Sequence, residues 1–408
     1  MVMDRLLEGK RVLLGVTGGI AAYKSCELAR RLIRLGAEIQ VVMSEAATRF
    51  VTPLTFEALT QRPVLTDLFR PEAGSRATVH VELGRWPDLV LIAPATYDFI
   101  GKLACGLADD ALSALVAAAE APVVLCPAMN HAMYAKPALA ENLNRLRQWG
   151  YRIVGPERGE LAEGEIGWGR LAEVETILDA VEYELLRHDA LHGRRVLVTA
   201  GPTQEPVDPV RFITNRSSGR MGYALAQAAL WAGAEVTLVS GPTPLQPPRG
   251  VGFVSVRTAA EMAEAVERHW PQTEILFMAA AVSDYRPSQV AEHKLKKGEG
   301  PTLRLDLEKT PDILAWAGQN KGARILVGFA VETENELANA MEKLRRKNLD
   351  LIVVNNPLEP GAGFETDTNR VTILDAEGHL DDWPLLSKLE VARRLVFRVG
   401  QLWQQRHP

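Results

Sequence analysis

Cysteine is scarce in this chain: Cys26, Cys105 and Cys126 are the three in 408 residues, an odd number with no CxxC pair. That argues against a disulfide framework and a structural zinc site, and it fits a reducing compartment. Charge of one sign is not in excess either. Forty-six basic and fifty-one acidic residues leave a net charge of −5, which offers no broad footprint for nucleic acid or an anionic membrane. Long apolar runs are missing too. The opening stretch MVMDRLLEGKRVLLGV holds Glu8, Lys10 and Arg11 ahead of a run too short for a signal segment or a membrane span. The expectation is a soluble, cytoplasmic protein. No HExxH or Cys/His cluster marks a metal. With 47% hydrophobic and 24% charged residues the mix is globular, and the length suggests two or three domains.

What is present is a pattern that occurs twice. Val12–Val16 is a short β-branched run, Thr17-Gly18-Gly19 a turn, and Ile20–Leu35 has helical period; Gly36 closes it before the strand-like run Glu38–Met43. Strand, helix, strand is a βαβ unit. Buried-strand runs follow at Leu89–Ala93 and Val123–Cys126, with an alanine-rich helix predicted over Ala108–Glu120. At Arg195 the pattern restarts: Val196–Thr199, a turn at Gly201-Pro202-Thr203, a helix over Gly222–Ala232, then Gly233-Ala-Glu-Val, which parallels Gly36-Ala-Glu-Ile. Further strands are predicted at Ile275–Ala281, Ile325–Phe329 and Leu351–Val354. The seam falls in the polar stretch Arg187–Gly193, so two α/β domains are expected, 1–190 and 191–408, each a mostly parallel sheet covered by helices. The rhythm of Leu385–Gln401 predicts a terminal helix packed on its own domain.

Ligands of open α/β sheets gather at the carboxyl ends of strands. Thr17-Gly18-Gly19 sits at such an end and reads either as a phosphate cradle or as a tight turn; it lacks the GxGxxG and GxxxxGK[ST] spacings. The absence of the dinucleotide spacing speaks against a nicotinamide oxidoreductase. Asn215-Arg-Ser-Ser-Gly-Arg-Met-Gly222 has two hydroxyls, two arginines and two glycines at a helix start, a good anion cradle. Ala93-Pro-Ala-Thr96, Pro127-Ala-Met-Asn130 and Ala281-Val-Ser-Asp-Tyr285 end other strands. Taken singly, Asn130 could be a turn residue, Asp284 a cap and His80 a structural histidine. The basic groups Lys294-Leu-Lys-Lys297 and Lys343, Arg345, Arg346, Lys347 are solvated faces unless they converge on one set of strand ends.

Together these motifs resemble the bifunctional phosphopantothenoylcysteine decarboxylase/phosphopantothenate–cysteine ligase family of coenzyme A synthesis, over essentially the whole chain. The matching segments are Gly15-Val-Thr-Gly-Gly-Ile-Ala-Ala-Tyr-Lys24, His80-Val-Glu-Leu-Gly84, Ala93-Pro-Ala-Thr96, Pro127-Ala-Met-Asn130, Thr199-Ala-Gly-Pro-Thr203, Asn215–Gly222, Ala280–Tyr285 and Lys294–Lys297. The resemblance implies an N-terminal flavodoxin-like decarboxylase with FMN, homo-oligomeric through trimeric contacts. Thr17, Gly18 and Gly19 would approach the flavin phosphate, with Ser44, Pro94, Ala95 and Thr96 lining the site. His80 would be the base, and Met129 and Asn130 would clamp the substrate. By this resemblance the flavin would oxidise the substrate's cysteine moiety at its thiol-bearing carbon, CO2 would be lost, and the ene-thiolate would take hydride back from the reduced flavin and a proton from an acid to give 4′-phosphopantetheine. A non-catalytic flavin-binding partner protein would not need both His80 and Asn130.

One position departs from the family, which usually has a cysteine as the proton donor in A-C-G-x-x-G-x-G-R. This chain reads Ala162-Glu163-Gly164-Glu165-Ile-Gly-Trp-Gly-Arg170. Glu163 could donate the proton if burial, or repulsion from Glu160 and Glu165, kept it protonated. The alternative is an active ligase joined to a decarboxylase that is impaired or releases the ene-thiol. For the C-terminal half the resemblance implies a Rossmann-like, dimeric ligase that converts 4′-phosphopantothenate and CTP to an acyl-cytidylate, with Mg²⁺ on the triphosphate; cysteine then displaces CMP. Met278, Ala279, Ala280, Asp284, Lys294, Pro311, Asp312, Ile313, Leu314, Phe329, Lys343 and Lys347 would contact CTP, with Asp284 on the ribose and Phe329 at the base. Lys294 would stabilise charge as the cytidylate forms, and Asn215 would position it for cysteine.

Overall fold

The computed structural model describes residues 5–68, 79–296, 303–331, 335–356, 358–359, 361, 363 and 366–407. The chain forms two compact units, Met1–Leu186 and Arg187–Pro408. In the first, β1 (Arg11–Val16), α1 (Ala22–Arg34) and β2 (Glu38–Met43) make the expected βαβ unit. α2 (Pro53–Thr60) and α3 (Val79–Arg85) precede β3 (Leu89–Ala95). Next come α4 (Tyr97–Ala104), α5 (Ala111–Ala118) and β4 (Val123–Pro127). α6 (His131–Tyr134), α7 (Pro137–Gln148) and β5 (Arg152–Ile153) complete a sheet of order β2-β1-β3-β4-β5, parallel throughout. This is the flavodoxin-like order, with its switch point between β1 and β3. β3 and β4 are buried along their whole lengths because helices cover both sheet faces. An antiparallel hairpin, β6 (Glu157–Glu160) and β7 (Ile166–Arg170), then leads to α8 (Val174–Leu186).

The second unit runs β8 (Arg195–Ala200), β9 (Gln204–Pro206), β10 (Phe212–Thr214), α9 (Arg220–Trp231), β11 (Glu235–Ser240), β12 (Gly252–Ser255), α10 (Ala259–His269) and β13 (Ile275–Met278). It continues with β14 (Tyr285–Pro287), β15 (Leu307–Lys309), α11 (Ile313–Gln319), β16 (Ile325–Val331), α12 (Glu336–Arg346) and β17 (Leu351–Asn355). β18 (Thr368–Asp375), β19 (Leu380–Ser387) and α13 (Lys388–Arg406) close the chain. The sheet order is β12-β11-β8-β13-β16-β17-β18-β19. Its first six strands are parallel and follow the Rossmann order, with the reversal between β8 and β13. β18 and β19 add antiparallel to the edge.

The likeness of the two halves is physical as well as textual. α1 and α9 both end in a left-handed glycine, Gly36 at φ +94° and Gly233 at φ +82°. In both, the next amide reaches back to a carbonyl of the last turn, Ala37 to Leu32 and Ala234 to Ala229, the closed helix end that a Cβ would disfavour. Several boundaries differ from the sequence reading. α5 starts at Ala111 because Asp110 and Ser113 form a reciprocal cap. α13 starts at Lys388 because residues 380–387 pair as a strand and Ser387 caps the helix. Its Val391, Ala392, Leu395, Val396 and Val399 join the core of their own unit, as expected.

Candidate active sites

In the first unit a cleft of about 1420 Å³ opens at the carboxyl ends of β1 and β3. Thr17 builds its floor. Its hydroxyl donates to the Pro94 carbonyl at 2.7 Å and accepts from the Thr96 amide at 3.0 Å, stitching the strand ends together across the switch point. Those bonds bury Thr17 and occupy its hydroxyl, so its side chain supports the turn. Pro94 and Ala95 are buried in β3 and lie behind the lining; the Ala95 carbonyl accepts from Ala128. The groups that face the cleft are the turn's backbone and its neighbours. Among the described residues the amides of Gly18, Gly19 and Ile20 have no protein acceptor, and they precede α1, whose dipole favours an anion. A Cβ on Gly18 would lie 2.3 Å from the Ala46 Cβ, whereas one on Gly19 would face open space except for Thr96 Cγ2 at 3.7 Å. Ser44 and Thr96 line the cleft and cap the elements that follow, Ser44 accepting from Ala47 and Thr96 from Phe99. A turn with open amides and bare glycine faces fits a flavin phosphate.

Sequence reasoning missed the charged side chains of this cleft. Lys24, Lys102 and Arg170 all line it and all have carboxylate partners. Lys102 sits 2.9 Å from both Asp109 and Asp110, whose hydrogen bonds push its ammonium up, and Arg170 pairs with Glu173. Of these, the Lys24–Glu173 pair is made by tertiary proximity alone. Opposite the glycine turn, Asn130 caps α6 through Oδ1, which accepts from the Ala132 amide at 2.7 Å. Its Nδ2 donates to Glu163 Oε1 at 3.1 Å. Glu163 stands on the exposed tip of the β6–β7 hairpin, and the hairpin is seated by the Met129 amide on the Gly169 carbonyl at 2.9 Å. The structure therefore brings Met129, Asn130 and Glu163 to one wall of the cleft. It does not supply the burial that an acid role for Glu163 calls for. His80 is not brought to the cleft of its own chain. It lies on α3, which packs on α5; a Cβ on Gly84 would meet Ala118 Cβ at 2.8 Å.

In the second unit a cleft of about 420 Å³ lies at the carboxyl ends of β13 and β16. Met278, Ala280, Asp284, Pro311, Asp312, Ile313, Leu314, Phe329, Lys343 and Lys347, ten of the residues that the resemblance implied for CTP, line it together. Ala279 does not, because it turns to the core behind β13. The two lysines are set by α12: Lys343 Nζ donates to the Phe329 carbonyl and Lys347 Nζ to Asp312 Oδ1, each at 2.9 Å. Asp312 also caps α11. Burial pushes its carboxyl up, but Lys347 and the Ala315 amide outweigh that and hold it below the usual range. Tyr285, Lys309 and Thr310 line the cleft too and were not assigned to it; Tyr285 and Lys309 pair in the short β14–β15 ladder, which has no periodicity to read, and Thr310 follows it. Asn215 is exposed, and its Nδ2 donates to the carbonyls of Ala281 and Val282 at 3.3 and 3.0 Å. Lys294 is exposed and outside this lining; Lys297 lies outside the described residues. The glycine cluster starts α9, with Gly219 at φ +77° and Arg220 paired to Asp367 at 3.0 Å. No described helix is long and apolar enough to cross a membrane.

Two family models match in tandem: Flavoprotein over residues 3–186 and the DNA/pantothenate metabolism flavoprotein C-terminal domain over residues 191–402. Curated relatives cover nearly the whole chain. The coenzyme A biosynthesis bifunctional protein CoaBC of Bacillus subtilis is 46% identical over 403 residues, 98% of this chain and 99% of that one. The Vibrio cholerae protein of the same name is 47% identical over 397 residues, 97% of this chain and 99% of its own. That of Mycobacterium tuberculosis H37Rv is 45% identical over 403 residues, 95% of each. Matched over nearly its whole length in the same domain order, this chain belongs to the family of the coenzyme A biosynthesis bifunctional protein CoaBC.

Proposed function

We propose that the two activities of this family, phosphopantothenate–cysteine ligase and phosphopantothenoylcysteine decarboxylase, divide between the two clefts. The second unit binds CTP between β13, α11 and α12. The carboxylate of 4′-phosphopantothenate attacks the α-phosphorus and pyrophosphate leaves. The amine of cysteine then attacks the acyl carbon and CMP leaves. Lys343 and Lys347 face the phosphates, Asp284 the ribose and Phe329 the base, and Lys294 stabilises the charge that develops as the cytidylate forms. Asn215 holds the 281–282 loop and the acyl-cytidylate in register for cysteine. Mg²⁺ on the phosphates is part of this reading. Its support is the convergence of two helix-borne lysines, an aspartate and an aromatic side chain on one set of strand ends.

In the first unit the amides of Gly18 and Gly19 hold the phosphate of FMN, and Ser44 and Thr96 flank it. When bound, FMN supplies the hydride acceptor and electron sink for loss of CO2 that no side chain offers. Asn130 orients the substrate carboxylate, and His80 acts as base from a neighbouring copy in a homo-oligomer. Ile20, Tyr23, Phe50 and Met133, exposed on the cleft rim, favour such an assembly. The carrying observation is the open-amide glycine turn at the β1/β3 switch point. A second reading, release of the ene-thiol, is favoured by one contact: Glu163 is exposed and held by Asn130 rather than buried near a reacting carbon.

Incubation of the protein with 4′-phosphopantothenate, CTP, Mg²⁺ and cysteine, read by mass spectrometry, tests both. Phosphopantetheine with CMP supports the full sequence. A product lighter by two hydrogens with bleached flavin supports the second reading. Phosphopantothenoylcysteine alone confines the activity to the ligase, and no product refutes the assignment.

A further inference from the structure

The second unit buries a carboxylate that neither half-reaction uses. Asp208 lies in the turn between β9 and β10, and its side chain has no exposed surface. An ionised carboxylate in that setting is costly unless donors surround it. Five do. The amides of Val210 and Arg211 reach Oδ1 at 2.8 Å each, the Arg211 guanidinium reaches Oδ2 at 2.9 and 2.6 Å, and the Leu295 amide reaches Oδ2 at 3.1 Å. Burial pushes this carboxyl up, but Arg211 and the three amides outweigh it and hold it far below the ordinary carboxylate range.

Four of these donors are local and would satisfy the turn by themselves. The fifth arrives from 87 positions away, on the residue next to Lys294. Two more bonds join the same pieces. Arg211 donates to the Leu295 carbonyl at 2.6 Å, and the Ala291 amide donates to the Val207 carbonyl at 3.0 Å. The segment that leaves β14 is thus tied to the 207–211 turn on both sides of Lys294, while Lys294 itself is exposed. The same turn leads through β10 directly into Asn215.

We propose that Asp208, held by Arg211, is a positioning residue for Lys294, fixing the backbone from which that ammonium reaches the nucleotide. This rests on the reading of Lys294 as the group that stabilises charge in cytidylate formation. A displacement of about 1 Å at such a group costs on the order of 10²-fold in rate. Asp208→Asn puts an amide NH2 against donors it cannot accept from, so the anchor at Leu295 is the one expected to open.

The test measures pyrophosphate release from CTP, 4′-phosphopantothenate and Mg²⁺, without cysteine, in the full-length protein. Wild type, Lys294→Gln, Asp208→Asn, Arg211→Gln and the double variant Asp208→Asn/Lys294→Gln are compared. Unchanged release by Lys294→Gln sinks the reading of Lys294, and the positioning role with it. If Lys294→Gln is slow, Asp208→Asn is expected to lose on the order of 10²-fold in the rate of the pyrophosphate burst, and the double variant to be no slower than Lys294→Gln. A double variant slower by the full Asp208→Asn factor would show independent action and overturn the positioning role alone. Trypsin cleavage after Lys294 and Lys296, read well below the melting transition of each protein, is expected to quicken in Asp208→Asn; cleavage at the wild-type rate also overturns it. Should Asp208→Asn fail to fold, Arg211→Gln, partly exposed and lacking the same tie to Leu295, carries the identical comparison. Decarboxylation of supplied 4′-phosphopantothenoylcysteine is the control for an intact first unit.

Discussion

The glycine turn of the flavin cleft offers a paired substitution in which one change strikes protein and the other strikes ligand. In Gly18→Ala the new Cβ would sit 2.3 Å from Ala46 Cβ and 2.8 Å from the Ala46 carbonyl carbon. Carbon atoms rest at roughly 3.5–4.0 Å, so the turn and the 3₁₀ segment Glu45–Arg49 must part by more than about 1 Å. Backbone cannot yield as a side-chain tip does, and overpacking of this kind costs about 1–3 kcal/mol. For a unit of this size that lowers Tm by roughly 2–12 °C. If the same strain is felt in the cradle, flavin affinity falls by about 5- to 150-fold. Gly19→Ala is the companion. Its Cβ meets only Thr96 Cγ2 at 3.7 Å, an ordinary contact, so Tm in the flavin-free protein should not move. Flavin retention should fall all the same, because the methyl group occupies the space a phosphate needs beside the amides. The assay is the flavin-to-protein absorbance ratio after dialysis, with melting of the stripped proteins and ligase turnover as controls. A Gly18→Ala protein that keeps wild-type Tm would refute the packing argument. Wild-type flavin retention in Gly19→Ala would refute the cradle.

Three further outcomes are expected. Glu163→Cys should raise the ratio of phosphopantetheine to the ene-thiol, since a thiol has a higher intrinsic pKa and keeps a proton to give near neutrality; an unchanged ratio by mass spectrometry would remove this position from proton delivery. Asp110→Ala should cost about 1–2 kcal/mol through the lost cap of α5, seen as a lower Tm, and should leave Lys102 paired to Asp109 alone; an unchanged Tm would refute the cap's contribution. Lys388 is buried at the start of α13, where burial, and secondarily Arg220, pull its ammonium down from 10.5 to about 8. Across that window the unfolded chain binds the proton that the folded chain has released, so this group makes stability rise with pH between about 8 and 10.5, and the gain is lost as pH falls from about 10.5 to about 8. Denaturant titrations of wild type and Lys388→Met should therefore converge in slope below pH 8 and diverge above it; parallel pH profiles would rule the linkage out.

Much of this molecule was legible in one dimension. Runs such as Val12–Val16 and Leu89–Ala93 declare buried parallel strands because both of their faces must be apolar, and Gly36 and Gly233 declare helix ends because a left-handed residue is needed there. The strand-end motifs marked where ligands would gather, and ten of the residues assigned to CTP do share one cleft. The short ladders β6–β7, β9–β10 and β14–β15 were not legible, since three to five residues, many of them exposed, establish no period. Nor were the antiparallel edge strands β18 and β19, whose alternation is broken by a register shift between Asn369 and Val371.

The sequence by itself determined the main helices and parallel strands, their order and the resemblance to the family, because each depends on local spacing or on motifs read in line. Tertiary structure decided which of the marked residues meet. It set Glu163 against Asn130 across 33 positions and tied the Lys294 segment to Asp208 across 87, while leaving His80 outside the cleft of its own chain. Side-chain period reports which face of an element is buried; it carries no information on which distant element returns to cover that face.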